Sequence, residues 1–489
     1  MRVNYRQAAL FGILSLVILT GCGGGANLAN QPQPPTTANA FSKASLNGTY
    51  VFTANGADIV GPFALLGTMQ ADGNGGVTTG RTYIRADSGA TLNFALTGSY
   101  TVQSDGHAVV NLMSDAIGSV TLDLILLSPD HGLVMRFDSI STASGTLDKQ
   151  DASALDPAAL AGSWVFNVRG IDTEGRPEAA VGAFTVTGNS LTGTVDGNDT
   201  ILETFNAPIL PGPVGNFFET GPVGVGVDVG PGGAGVFAYT TSPGTLHQLN
   251  FIAIDANHLK LISDISPEAG DSYRPTSVFG SFAFTMAGPE GVAAGGVLNV
   301  DGAGNVLGSS VEDTNVAGSI SLNSGVSGTY SITPNGRIEL LLNDKLNSIL
   351  VAYPSTGGLQ LVQMNGGVAS GVGFLEAGAT HSNASLNGRY GANISGSTGG
   401  GKFGEIAQLT ADGNGNLTGS GSINNAGTLT SGLKVDGTYL MSPNGRAVGT
   451  LATSTGTMNV VFYVSSGNQV SFIGIDSDRV SQGVLVQQQ

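Results

Sequence analysis

The stretch Ser45-Leu46-Asn47-Gly48-Thr49-Tyr50-Val51-Phe52 is nearly restated at Ser385-Leu386-Asn387-Gly388-Arg389-Tyr390-Gly391-Ala392. Two looser copies lie between them, Leu160-Ala161-Gly162-Ser163-Trp164-Val165-Phe166 and Val278-Phe279-Gly280-Ser281-Phe282-Ala283-Phe284. The aligned glycines 48, 162, 280 and 388 stand 114, 118 and 108 residues apart, so the 489-residue chain carries four copies of one unit. Tyr50/Phe52, Trp164/Phe166 and Phe282/Phe284 are each two residues apart, which puts both rings of a pair on one face of a pleated strand. In the fourth copy the second ring is Ala392, a smaller core site.

Further markers recur behind each opening. Three units carry a turn at Ala71-Asp72-Gly73-Asn74-Gly75, Val300-Asp301-Gly302-Ala303-Gly304 and Ala411-Asp412-Gly413-Asn414-Gly415. A second Gly-x-Tyr follows at Tyr100, Tyr330 and Tyr439, and then a turn before His107, Arg337 and Arg446. Asp-Gly and Asn-Gly supply the positive φ of tight hairpins. Val120-Leu122-Leu124-Leu126 and Val460-Phe462-Val464 alternate as strands do, and no mature segment sustains a 3.6-residue apolar stripe. The expected fold is all-β: four tandem antiparallel domains of about eight strands, closing into small up-and-down β-barrels. Two-sheet β-sandwiches are the alternative. The expected division is a signal peptide at 1–21, a lipidated flexible tether at 22–41, and repeats at 42–150, 155–275, 276–378 and 383–489. The second repeat diverges and carries an insertion around 205–213. The short joins predict domains that touch.

Arg2 and Arg6 precede an apolar run, Ala8–Leu19, that is signal-peptide length and short of the roughly 20 residues that span a bilayer. The run ends in Leu19-Thr20-Gly21-Cys22, which resembles the lipobox of bacterial lipoproteins. That resemblance implies cleavage between Gly21 and Cys22 by signal peptidase II, diacylglycerol on the Cys22 sulfur, and an acyl chain such as palmitate on the new amino group. Two or three chains anchor a protein stably where one does not. Cys22 is the only cysteine, so no disulfide framework supports the exported body. Gly23-Ala40, rich in Gly, Asn, Gln and Pro, reads as the tether. Gly23 after the cysteine, where Asp would signal inner-membrane retention in enteric bacteria, points by resemblance to the outer membrane, on its periplasmic face or at the cell surface.

Residues after the signal carry a net charge near −19, two positive charges fewer than the whole chain's −17. Such a surface repels phosphate backbones and disfavours nucleic acid. The 76 glycines are about twice the ordinary ~7%. No P-loop, no G-x-S-x-G elbow and no metal-ligand spacing of the five histidines occurs. Gly270-Asp271-Ser272-Tyr273 is only a faint echo of a lipase serine. Asp72, Asp301 and Asp412 are weak calcium candidates, because each turn offers one carboxylate where calcium takes six to eight oxygens; the turns read as hairpins. Glu312-Asp313 reads as a solvated strand end, and His107, Arg337 and Arg446 as an exposed basic flank. The Leu-Asn-Gly-x-Tyr opening and Ala-Asp-Gly-Asn-Gly turn make residues 44–489 similar to Gly-rich tandem-repeat lipoproteins of environmental Gram-negative bacteria, a resemblance that implies a repeated β module and no activity. The expectation is therefore a non-enzymatic, cofactor-free, membrane-anchored protein with a structural or adhesive role toward a surface polysaccharide or protein. The alternative is lipocalin-like binding of small apolar ligands inside the barrels.

Overall fold

A computed structural model describes residues 40–489, apart from 87–90, 116–117, 152–156, 173, 189, 200–204, 210–213, 216–232, 242–244, 278, 289–290, 377–379 and 466–468. Gly21, Cys22, the signal peptide and nearly all of the tether lie outside the described residues.

Residues 47–149, 282–375 and 387–487 each form a closed eight-stranded antiparallel barrel with the strands in chain order. The first strand of each (Asn47–Asp58, Phe282–Gly288, Asn387–Thr398) pairs with both the second and the last, so no edge is left to recruit another chain. These three units are up-and-down barrels, and the sandwich alternative does not apply to them.

The second unit departs from that expectation. Among the described residues it is an open nine-stranded sheet, running from Phe205–Ile209 through Gly162–Ile171 and Glu268–Tyr273 to Val214–Gly215. Its first and last long strands still pair, as in the barrels. The opening falls between two short strands, Phe205–Ile209 within the insertion and Val214–Gly215 just after it. Pro208 sits in one of these edge strands, where a missing N–H is tolerated.

The interiors are filled with side chains. Tyr50, Phe52, Phe63 and Tyr100 are at most 2% exposed and pack with Leu65, Leu96, Leu112, Leu122, Leu124 and Leu147 from around the barrel. In the second unit Phe166, Phe184, Phe237 and Phe251 form a chain of rings with centroids 5.8, 4.8 and 4.3 Å apart. In the fourth, where Ala392 replaces a ring, Phe462 and Phe472 pack at 5.3 Å. Each such buried ring contributes about 1.5–3 kcal/mol. The second Gly-x-Tyr has a clear task. Tyr100 Oη lies 3.0 and 2.7 Å from the carbonyls of Lys43 and Leu46, and Tyr439 Oη 2.9 and 2.7 Å from those of Asn383 and Leu386. The ring thus ties mid-barrel to the short 3-10 turn that leads into the first strand.

Glycine sets the closing seam. A Cβ on Gly145 would lie 1.7 Å from the Thr53 carbonyl oxygen, and on Gly270 or Gly371 1.9 Å from that of Asn167 or Thr285. At these positions the carbonyl of the first strand occupies the space a side chain on the last strand would need.

The units dock head to tail. Opening strands of each pack against closing strands of the next, and the fourth packs against the first, so the four form a closed ring. Apolar clusters cover all four joints: Val51, Leu66, Ile252 and Ile262 at the first; Val165, Val181, Val351 and Val362 at the second; Val297, Val461 and Ile473 at the third; Leu133, Met135 and Ile406 at the fourth. A head-to-tail contact that closes leaves none of the four joint faces open.

Candidate functional site

Two joints contain the same buried constellation. Asp313, on the third strand of the third unit, accepts Arg446 Nε and Nη2 at 2.7 and 2.6 Å and Tyr463 Oη at 2.8 Å, both from the fourth unit. Asp196 accepts Arg337 Nε at 2.9 Å and Tyr353 Oη at 2.6 Å across the preceding joint. Both carboxylates are 0% exposed. Burial and the adjacent Asp313 charge push the Tyr463 phenol far up. Two expectations are corrected here. Asp313 is not a solvated strand end, and Arg337 and Arg446 are not an exposed flank: they are the ionic centres of the ring's joints. Glu312 is half-buried, its carboxyl raised to about 8 by burial and the nearby Asp344 and Asp313 charges. His107, at the position of Arg446, turns instead to Asp123 of its own barrel at 2.5 Å.

A second element recurs at every joint, near the end of the third strand. Asn424 Nδ2 lies 3.0, 3.2 and 2.7 Å from the carbonyls of Arg136, Asp138 and Ser141. Asn315 Nδ2 lies 3.1, 3.0 and 3.0 Å from those of Gly474, Asp476 and Arg479. Asn198 reaches Gln363 at 2.7 Å, and Arg85 takes the role at the first joint, Nη2 to Ile265 at 2.6 Å. Each side chain satisfies the turn of the next unit's closing hairpin.

The four first strands meet around the centre of the ring. Thr53, Asn167, Thr285 and Asn393, each five residues past the recurring glycine, line one cavity of about 790 Å³ together with Asn55, Arg169 and Ser395. These polar residues alternate with core residues on otherwise apolar strands, which is the sequence signal that could have located the cavity. Asn393 Nδ2 donates to Val134 and Gly145 carbonyls at 3.2 and 3.0 Å, and Asn167 donates to Gln360, so the lining also crosslinks neighbouring units. Asn55 Oδ1 and Asn393 Oδ1 are buried acceptors with no protein donor.

A charged group borders this cavity at the first joint. Lys260, 0% exposed, lies 2.7 Å from Asp148 and 3.6 Å from Asp271; His131 meets Asp148 at 2.5 Å and His258 meets Asp271 at 2.9 Å. Burial works against these charges, yet Lys260 and the imidazoles hold both carboxyls below the usual range. Nothing here is arranged as a nucleophile. Ser272 is buried in the middle of a strand and donates to the Val165 carbonyl at 3.0 Å, so the lipase-like stretch lies on a strand and forms no elbow.

The three candidate calcium aspartates are engaged by their own turns. Asp72 Oδ1 accepts the N–H groups of Asn74 and Gly76 at 2.7 and 2.8 Å, and Asp301 and Asp412 repeat the pattern. Side-chain and backbone donation from Asn416 leads the effects that lower Asp412 to about 2. Among the described residues no group of three or more His, Cys, Asp or Glu side chains could hold a metal ion.

No family model matches the sequence, and no curated protein matches it. Among solved structures, kievitone hydratase from Nectria haematococca aligns at 10% identity and a TM-score of 0.18, over 69% of this chain and 92% of that one. CghA with Sch210972 aligns at 8% identity and 0.18, over 67% and 88%. Isotype 1 transferrin binding protein B from serogroup B Neisseria meningitidis aligns at 10% identity and 0.20, over 72% and 82%. Likenesses at these TM-scores carry no argument about this chain.

Proposed function

We propose that this chain is an outer-membrane lipoprotein, anchored through lipid on Cys22, whose ring of β-units serves a non-enzymatic structural or adhesive role. The observation that carries the reading is the filled interior of the units. A lipocalin-like carrier needs an empty barrel, whereas Tyr50, Phe52, Trp164, Phe282 and Phe472 occupy these interiors at no more than 2% exposure. The sealed joints support the same reading, because a closed ring presents one rigid surface on a tether. A bilayer-spanning barrel would place apolar side chains outward, the reverse of these apolar interiors.

The test uses cells carrying the wild-type chain, Cys22→Ala, or a deletion. An alkyne-tagged palmitate should label only the wild type. Attachment of cells to polysaccharide-coated surfaces should fall on deletion and return with the wild type but not with Cys22→Ala. Labelling that survives Cys22→Ala refutes the anchor, and attachment indifferent to all three refutes the adhesive role.

A further inference from the structure

The central cavity, about 790 Å³, falls within the ~300–1,000 Å³ range of small-molecule sites. A protein cavity of ~150 Å³ accepts benzene, so this one has room for more than one ring. Small-molecule sites are lined mainly by apolar side chains. Here ten of the lining residues are Ser or Thr and six are Asn or Gln, groups that both donate and accept hydrogen bonds. The closing strands of the third and fourth units add an apolar part. Val372 and Phe374 from one, and Val484 and Val486 from the other, line the cavity while only half-buried. Each pair stands two residues apart on its strand and so shares a face. The closing strand of the first unit gives Ser144 and Thr146 instead.

The charges on this wall are matched inside the protein. Asp271 meets His258 at 2.9 Å and Lys260 at 3.6 Å, and His131 meets Asp148 at 2.5 Å. Burial depresses the Arg169 guanidinium, and the Asp271 charge offsets part of that. With the Gln482 amide turned to present its oxygen, Arg169 Nη1 and Nη2 also donate to it at 2.8 and 3.1 Å. A charged guest would therefore give up its hydration without gaining an unpaired counter-charge. A wholly apolar guest would displace water from hydroxyls and amides and leave them unsatisfied. Water alone would satisfy them but leave Val372, Phe374, Val484 and Val486 wetted. A neutral sugar meets both parts of the wall, since its hydroxyls donate and accept and the C–H face of a pyranose is apolar.

We propose that the central cavity binds a neutral disaccharide, its hydroxyls on Thr285, Asn393 and Ser395 and one ring face against Phe374. The inference goes beyond the surface role and depends on neither that role nor the lipid anchor. The test is calorimetric titration of the full chain with maltose, cellobiose, lactose, sucrose and trehalose. Maltobionate and lactobionate serve as charged counterparts, and cyclohexanol as an apolar ring with one hydroxyl. At least one disaccharide should bind saturably at one site, and the three control compounds at least about tenfold more weakly than it. Ser395→Phe, which puts a ring into the cavity, should abolish that binding. Thr285→Val, alike in shape but without the hydroxyl, should weaken it about fivefold, the worth of one hydrogen bond. Saturable binding by none of the five, the outcome for a cavity that holds water only, overturns the proposal. A control compound that binds as tightly as the best disaccharide overturns it too, as does binding that both variants leave unchanged. Should Ser395→Phe not fold, Thr285→Val and the control compounds decide it.

Discussion

Asp313→Ala is the perturbation that most directly tests whether the four units form one closed body. In the ring, Asp313 is fully enclosed and holds Arg446 through two hydrogen bonds of 2.7 and 2.6 Å, with Tyr463 as a third donor. Removing the carboxylate leaves a guanidinium 8% exposed with its counter-charge gone. Breaking one partner of a buried pair costs about 3–5 kcal/mol, whereas replacing both with apolar groups of similar volume is near neutral. Asp313→Ala should therefore lower stability by about 3–5 kcal/mol in urea unfolding of the full chain, while Asp313→Leu combined with Arg446→Met should recover most of it. Within its own unit Asp313 Oδ1 accepts only the Asn323 N–H, at 2.7 Å, so Asp313→Ala should cost an isolated third repeat about 1 kcal/mol, the worth of one hydrogen bond and well short of the loss in the full chain. A loss below about 1 kcal/mol in the full chain would refute the buried joint and return Asp313 to a solvated strand end.

Three further outcomes follow from the same geometry. Burial raises the Glu405 carboxyl from 4.5 to about 7 inside the fourth barrel, slightly offset by Arg479. The native state then holds a proton the unfolded chain has lost between those values, so stability falls as pH rises from about 4.5 to 7. At ~1.4 kcal/mol per pH unit the loss reaches about 3 kcal/mol, and Glu405→Gln should remove it, unfolding like the wild type at pH 4.5 but later at pH 8; identical pH profiles would contradict this. Gly73, at φ +76° in its turn, should cost about 1–3 kcal/mol as Gly73→Val, while Asp72→Asn costs little and chelator leaves the melting temperature unchanged; a calcium-reversible drop on chelation would make Asp72, Asp301 and Asp412 ligands. The fourth repeat alone, about 384–489, should show a β far-UV spectrum, since its core is its own, yet sediment with concentration-dependent mass because Ile406, Val461 and Ile473 lose their covers; a disordered spectrum would mean its barrel needs the ring to fold.

What the sequence made legible was whatever is local to one repeat. The strand period, the Asp-Gly turns and the paired rings act within a unit, and the barrels follow from them. The ring does not, because a joint brings together side chains more than a hundred positions apart. Asp313 and Arg446 look like surface residues when each is read beside its own neighbours. The repeat still carried a usable trace. Asn198, Asn315 and Asn424 occupy nearly the same place in three units, at the end of a strand; the oxygens of Asn315 and Asn424 accept the N–H of Gly318 and Gly427 in their own turns at 3.0 Å, which leaves the amide nitrogen for a partner elsewhere. Each is the donor that satisfies the next unit's hairpin. The same reasoning locates the cavity. Thr53, Asn167, Thr285 and Asn393 are polar at one position of the repeat, and all four line the central cavity; Asn167 and Asn393 also bond to neighbouring units. The second repeat escaped this logic: among the described residues its sheet is open between its two short edge strands, while the first-to-last pairing on which the ring is built is kept.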